Sequence, residues 1–233
     1  MASRSRQKLV VLSGSGLSAE SGLPTFRDAA GLWNQYSWVE LASPDGWREH
    51  PDVVLAFYNE RRAKAWTAQP NAAHRAIASL EESFDVAVVT QNVDNLHERA
   101  GSTRVLHVHG ELAFACGTGP SRRRYRIDGA AIALGQKCDE GTQLRPDIVW
   151  FGEETRHMDE ARRLVQAADK VLVVGTSLTV YPAAGLVDAA RRDADKILNV
   201  IEIDEVPAGF RFEQGPATQV IPRVVDAWLK AAA

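Results

Sequence analysis

The chain has two cysteines, Cys116 and Cys138, and two methionines among its 233 residues. Two thiols make no disulfide framework, which excludes the disulfide-scaffolded secreted class. No apolar run approaches the ~18–20 residues needed to span a bilayer as a helix, so a membrane protein of that kind is excluded as well. Excess charge of one sign is also missing: 27 Lys and Arg stand against 30 Asp and Glu, a formal net charge of -3. A strongly cationic nucleic-acid binder does not have that balance. Internal repeats, low-complexity tracts and Pro-rich linkers are absent, so no clean two-domain cut is expected. Met1–Gln7 is polar and leads straight into a strand-like run, so neither a signal peptide nor a transit helix is expected there. What remains is ordinary globular composition, 45% hydrophobic and 24% charged. The expectation is a cytoplasmic enzyme of one chain, its oligomeric state left open.

Short runs rich in Val, Ile and Leu predict buried strands at Leu9–Leu12, Val86–Thr90, Val105–His109, Asp147–Phe151, Val171–Val174 and Ile197–Ile203. Most are continuous rather than alternating, as in strands covered on both faces. Helical spacing lies between them, at Asp52–Trp66, where Val53, Val54, Phe57 and Tyr58 oppose charges, and at Ala72–Leu80 and Asp159–Ala168. Alternating strand and helix predict an α/β fold, a Rossmann-like parallel sheet domain. Two stretches do not fit the alternation: Gly31 to about Arg75, and Cys116 to Gly141. They predict a smaller, mainly helical module formed by insertions, about 31–75 and 111–141, beside a large domain of about 1–30, 76–110 and 142–233. The cluster Arg122, Arg123, Arg124 and Arg126 reads as a solvated loop rather than a nucleic-acid patch.

Strand Leu9–Leu12 runs into Ser13-Gly14-Ser15-Gly16-Leu17-Ser18-Ala19. A strand followed by G-x-G-x-x-A is a loop in which glycines let the backbone approach a pyrophosphate. Its structural alternative is a tight strand–helix turn. A hydride-transfer site is not expected, because Pro24 stops the helix early and Thr25-Phe26-Arg27-Asp28 follows as a loop. Gln91, Asn92 and Asp94 follow a second strand, at the carboxyl edge where open α/β sheets bind ligands. Asn92 and Asp94 suit turn-shaping and capping equally well. His107 and His109 are two positions apart, and spacing alone leaves either as a general base. Gly175-Thr176-Ser177 is a second small-residue turn suited to phosphate or ribose contact, or simply a strand-to-helix turn.

From Gly14 to Asp28 the sequence resembles the sirtuins, the NAD-dependent protein lysine deacylases. The resemblance continues through Thr90-Gln91-Asn92-Val93-Asp94-Asn95-Leu96-His97, Val108-His109-Gly110-Glu111, Val149-Trp150-Phe151-Gly152-Glu153, Gly175-Thr176-Ser177 and Val180-Tyr181-Pro182-Ala183. It spans Lys8 to Leu229 and is nearest to short bacterial class III members. It implies NAD as cofactor, held by Gly14, Ser15, Gly16, Ser18, Phe26, Arg27, Gln91, Asn92, Asp94, Gly175, Thr176, Ser177 and Asp204. It also implies catalytic roles for Asn92 and Asp94 and selects His109 as the base. The implied reaction opens with attack of an acyl-lysine carbonyl oxygen on the ribose carbon bearing nicotinamide, and ends in free lysine and O-acyl-ADP-ribose. Implied partners are acylated lysine side chains of proteins, with no nucleic acid and no membrane. Val149, Phe151, Gly152, Val180 and Tyr181 would bind the peptide as an added strand. Tyr58-Asn59-Glu60-Arg61 resembles the class III Tyr-x-x-Arg motif, and Ala42 its pocket-opening small residue, implying removal of succinyl or malonyl as well as acetyl groups. An ADP-ribosyltransferase and a non-catalytic NAD-binding module are the alternatives.

The sequence departs from the family pattern at three points. Ser15 stands where alanine is usual, and Asp204 where an asparagine is usual. The third is zinc: Cys116 and Cys138 do not belong to Cys-x-x-Cys pairs, and a closed structural zinc site needs four ligands, so no metal is expected.

Overall fold

The computed structural model describes residues 6–25 and 37–232. Its larger sheet is made of β1 (Lys8–Ser13), β2 (Asp85–Thr90) and β3 (Val105–His107) on one side. On the other stand β7 (Lys170–Val174), β8 (Asp195–Val200) and β9 (Arg211–Gln214). All pairs are parallel, in the order β3-β2-β1-β7-β8-β9. The order reverses direction between β1 and β7, the place where such sheets open a ligand crevice.

Alternate residues of these strands enter two separate cores, which is why the strands read as continuous apolar runs. Leu9, Val11, Val86, Val88, Leu172, Val174 and Ile197 pack on one face, against α5 (Ala72–Ser79) and α8 (Ala217–Ala232). Val10, Leu12, Val89, Val171, Val173 and Leu198 pack on the other, against α7 (Met158–Ala167) and a 3₁₀ helix at Ala183–Ala189.

The smaller module contains α2 (Trp38–Leu41), α3 (Pro44–Glu49) and α4 (Pro51–Thr67). With them stands an antiparallel sheet of β4 (Gly110–Gly117), β5 (Arg124–Arg126) and β6 (Leu144–Ile148), ordered β5-β4-β6. The module is therefore helix plus sheet rather than mainly helical. β6 also corrects the expected strand at Asp147–Phe151 and its assignment to the large domain. It pairs with β4, and by Val149 the chain has already left the strand. Apolar content misled here, because β6 carries Arg145 and Asp147 fully inside, held by ion pairs that periodicity cannot reveal. Two further short helices complete the elements used below, α1 (Ser15–Ala19) and α6 (Leu96–Ala100).

Candidate active site

Register brings the carboxyl ends of the central strands level. Ser13 pairs with Thr90 and with Val174, Thr90 with His107, and Val174 with Asn199. The residues that follow, Gly14, Gln91, Val108 and Gly175, therefore lie along one edge, and the chemistry collects there.

The two glycine loops meet at the strand-order reversal. The Gly14 N–H donates to the Val174 carbonyl at 3.0 Å and the Gly16 N–H to the Gly175 carbonyl at 2.8 Å. A Cβ on Gly14 would lie 2.7 Å from the Thr176 side chain, and one on Gly175, at φ +64°, 2.2 Å from the Leu17 nitrogen. Only glycine permits backbones this close.

Polar side chains line the floor beside them. Asn92 is buried; its Nδ2 donates to the Gly14 carbonyl at 3.1 Å and to Ser18 Oγ at 3.0 Å. A carbonyl oxygen only accepts, which fixes the orientation of the amide. The Ser18 hydroxyl is hydrogen-bonded to the buried Asp94 carboxylate, which also accepts from the Leu96 N–H at 3.1 Å. Burial raises the Asp94 pKa, opposed by these hydrogen bonds and by the charge of His107. Gln91 Nε2 donates to Thr176 Oγ1 at 3.1 Å, tying this segment to the second glycine loop.

The two histidines separate on their partners. His107 places Nδ1 2.8 Å from the Asn92 carbonyl and Nε2 2.7 Å from Glu98 Oε1. Both nitrogens face acceptors, so both carry protons, and no lone pair remains for a base or a metal. Glu98, His107 and Glu111 bring side-chain donor atoms within 4.8 Å of one another, and His107 spends both ring nitrogens on the Asn92 carbonyl and Glu98. His109 places Nδ1 3.2 Å from the Gln91 carbonyl, and its ring is only partly buried. With Nδ1–H donating, Nε2 carries the lone pair. Burial lowers the His109 pKa, opposed by that hydrogen bond, which keeps the imidazole neutral at neutral pH. His109 is thus the residue equipped to accept a proton.

Residues after β6 and from the small module's helices reach the same edge. The Val149 N–H donates to the His109 carbonyl at 2.9 Å, and the Phe151 N–H to the Ala42 carbonyl at 2.8 Å. Ala42, Tyr58, Val93, Leu112 and Trp150 share one apolar cluster. Trp150 Nε1 donates to the Tyr58 hydroxyl at 3.1 Å, so the phenol keeps its own proton to offer. Burial raises the Tyr58 pKa to about 12, keeping it a donor. The Arg61 guanidinium sits 5.5 Å from the Phe57 ring centroid. Burial pulls its pKa down, while Tyr58 and Asp94 pull it back up. Phe151 and Gly152 are exposed, and so are Val180 and Tyr181, which follow Ser177 in an open loop. Ser15 and Ser177 flank the glycine contacts. Asp204 lies in an exposed loop four residues past the end of β8. Phe26 and Arg27 lie outside the described residues.

Several supporting residues escaped the sequence reading. Ser13 Oγ donates to Thr90 Oγ1 at 2.8 Å and lies 2.9 Å from His97 Nε2, forming a buried polar layer beneath Asn92, whose N–H bonds Thr90 Oγ1 at 3.0 Å. Arg62 is buried on α4, donating through Nε to the Leu112 carbonyl at 2.6 Å; burial lowers its pKa to about 10. Glu153 accepts from Arg145, Arg122 and the Trp150 N–H, and so fixes the ring that holds Tyr58. For Ser13 and Arg62 the partners Thr90, His97 and Leu112 are remote in sequence, so no local pattern shows the contact. The four clustered arginines are engaged in ion pairs: Arg122 with Glu153, Arg123 with Asp139, Arg124 with Asp147 and Glu111, and Arg126 with Asp128.

Among the described residues the two thiols do not converge on a common point with other cysteines. Cys116 Sγ faces the Pro146 carbonyl, and Cys138 Sγ lies 3.2 Å from the Thr142 hydroxyl, which also accepts from the Gly119 N–H. Two thiols, each with its own partner, do not make a four-ligand site.

Two glycine loops at a strand-order reversal, with a buried Asn–Ser–Asp relay and a neutral histidine, define a nucleotide-binding α/β protein of the Rossmann type. The buried polar lining fits a ligand rich in hydroxyl, amide and phosphate groups, as a dinucleotide is. Residues 14–182 match the Sir2 family, and the chain belongs to that family. It is 50% identical over 188 residues to an NAD-dependent protein deacylase of Helicobacter pylori strain J99, covering 81% of this chain and 80% of that one. A Vibrio parahaemolyticus protein of the same name is 42% identical over 227 residues, covering 94% of each. The crystal structure of a Sir2 homologue in complex with NAD superposes with a TM-score of 0.87 at 40% identity, over 98% of this chain and 91% of that one.

Proposed function

We infer that this chain is an NAD-dependent protein deacylase that takes acyl groups from lysine side chains. The observation that carries the mechanism is the contact of His109 Nδ1 with the Gln91 carbonyl at 3.2 Å, which directs the Nδ1 proton there and leaves Nε2 to accept one. NAD, when bound, supplies an electrophilic ribose carbon with nicotinamide as leaving group. Gly14, Ser15, Gly16, Gly175, Thr176 and Ser177 would take its phosphates and ribose, with Gln91, Asn92 and Asp94 nearer the reacting end. Asp204 is proposed as a further ribose contact, and Phe26 and Arg27 as loop contacts. His109 Nε2 removes a ribose hydroxyl proton, work for which a neutral imidazole is suited.

The substrate peptide is proposed to run past Val149, Phe151 and Gly152 on one side and Val180 and Tyr181 on the other, as an added strand. We propose that succinyl and malonyl groups are accepted as well as acetyl. Tyr58 keeps a proton to donate and Arg61 brings a guanidinium, a pair able to meet a carboxylate leaving water. Ala42, in the same cluster, is proposed to leave room for the longer acyl chain. We further propose a cytoplasmic enzyme, supported by the free thiols of Cys116 and Cys138. Among the described residues no helix is long and apolar enough to cross a membrane.

One assay tests the reading: incubation with NAD and acetyl-, succinyl- or malonyl-lysine peptide, following nicotinamide and peptide mass. The expected result is nicotinamide release matched by loss of the acyl mass. A mass gain of one ADP-ribose, with the acyl group retained, would make the chain an ADP-ribosyltransferase.

A further inference from the structure

Two successive carbonyls of the segment after β2 are each gripped by a histidine, Gln91 by His109 and Asn92 by His107. The His107 contact continues outward to Glu98, whose side chain reaches solvent at 39% exposure while that of His107 is 5% exposed. A surface carboxylate is thereby linked, through one buried ring, to the backbone of the residue whose side chain spans Gly14 and Ser18.

We propose that Glu98 and His107 form a positioning pair that keeps His107 as an imidazolium and thereby fixes the backbone of Asn92 in its reactive placement. The proposal rests on the reading of Asn92 given above. A neutral imidazole has one N–H and could satisfy only one of the two acceptors, so the Glu98 carboxylate would compete with the Asn92 carbonyl for it. The imidazolium serves both. Around the ring stand Glu98 and His97 of α6, Glu111 of β4, and Asp94 and the Asn92 carbonyl from the segment after β2. Burial pushes the His107 pKa down, but Glu98, Glu111 and the Asn92 carbonyl together raise it above its ordinary value. The reciprocal effect appears on Glu98: burial pushes its carboxyl up, yet the hydrogen bond and charge of His107 bring it below the usual range. A group whose folded pKa is raised holds its contribution below that pKa and loses it as pH rises through it. Positioning of Asn92 should therefore fail on the alkaline side, while the base His109 limits activity on the acid side.

The test uses the full chain with NAD and acetyl-lysine peptide, comparing wild type, Glu98→Gln and His107→Gln between pH 6 and 9.5. Nitrogen-15 NMR of the imidazoles is run on wild type and Glu98→Gln over the same range. In wild type the His107 ring should titrate above the ordinary imidazole pKa of ~6.5. Glu98→Gln keeps an acceptor but removes the charge, so both the NMR titration and the alkaline limb of kcat should move down together, by about one pH unit. His107→Gln should lower kcat about tenfold while peptide KM stays within about twofold, a split expected of lost placement rather than lost binding. Unmoved limbs in Glu98→Gln, or a His107 ring titrating at or below ordinary imidazole, would overturn the pair. If wild type releases no nicotinamide, the deacylase reading fails, and the NMR titration still decides whether the pair exists.

Discussion

β1 and β6 are both buried strands, yet they are buried by different means. β1 (Leu-Val-Val-Leu after Lys8) puts alternate apolar side chains into two cores, and hydrophobic burial alone accounts for it. β6 takes Arg145 and Asp147 inside with it. Asp147, 1% exposed at its side chain, is held by Arg156 through two hydrogen bonds of 2.9 and 2.6 Å and by Arg124 at 2.5 Å. Arg145 pairs with Glu153 and stacks 3.4 Å over Trp150. The large domain is thus an apolar scaffold that levels the strand ends, and the small module is an ionic frame that orients Trp150, Tyr58 and the loop after β6. Loss of one charge should therefore be felt in the module. In the large domain the vulnerable groups are instead buried neutral histidines, His74 and His97, whose rings lie 5.0 Å apart.

The strongest blow to the module is removal of Asp147, which leaves two arginines facing a buried void. Both guanidiniums reach solvent in part, so the cost falls at the low end for a broken buried pair, about 3 kcal/mol for Asp147→Ala. Chemical denaturation measures it; a change below about 0.5 kcal/mol, ordinary for a surface substitution, would show that the frame is ornamental.

Acid should strike the other half first. Burial lowers the His74 pKa to about 4 and that of His97 well below its ordinary value. The unfolded chain binds protons near pH 6.5 while the native rings do not, so stability falls as pH drops from about 6.5 toward 4. His74 alone accounts for roughly 3 kcal/mol over that interval, since a tenfold change in a proton-binding equilibrium is worth ~1.4 kcal/mol. Glu153, lowered to about 2 mainly by Arg145 against the opposing effect of burial, keeps the module's ion pairs through the same range. Melting temperature followed from pH 7 to pH 5 should fall clearly, and a flat profile would contradict the assignment of neutral buried rings.

Arg61→Met sharpens the comparison at the pocket. Charge-assisted hydrogen bonds contribute ~1.5–3 kcal/mol, so succinyl and malonyl peptides should lose at least ~10-fold in kcat/KM, with acetyl peptide changed little. Equal loss on all three would make Arg61 structural. The smallest effect is expected from chelation. Strong chelators should leave activity and melting temperature unchanged, and elemental analysis should find zinc well below one per chain. One tightly held zinc per chain would show that the module depends on metal.

The same contrast explains what the sequence made legible. The parallel sheet, its central strands and the glycine loops were readable because doubly covered strands are continuous apolar runs and tight backbone contacts demand glycine. The positions of Gly14, Gly16, Asn92, Asp94, His109 and Gly175 at one edge followed from that pattern and from family resemblance together. Between His107 and His109 spacing was silent, and the partners of each ring are what support proposing His109. β6 was misplaced because buried charges look like surface in a one-dimensional pattern. α4 hid Arg62 in the same way: a side chain assigned to the charged face is buried against the Leu112 carbonyl. The pattern-based elements stopped at Ile203, missing β9, an exposed edge strand, and α8, where Pro222 interrupts an otherwise clear stripe of Val220, Ile221, Val224, Val225 and Trp228.

The central claim is that His109 is the proton acceptor at an NAD-dependent deacylation site built on the sheet edge. It is tested most directly by comparing wild type with His109→Ala, measuring NAD binding by calorimetry and acyl-peptide turnover by mass. Loss of general-base catalysis is typically ~10²–10⁴-fold, so turnover should fall by at least about a hundredfold while NAD affinity and melting temperature are retained. Near-wild-type deacylation by the variant would contradict the account.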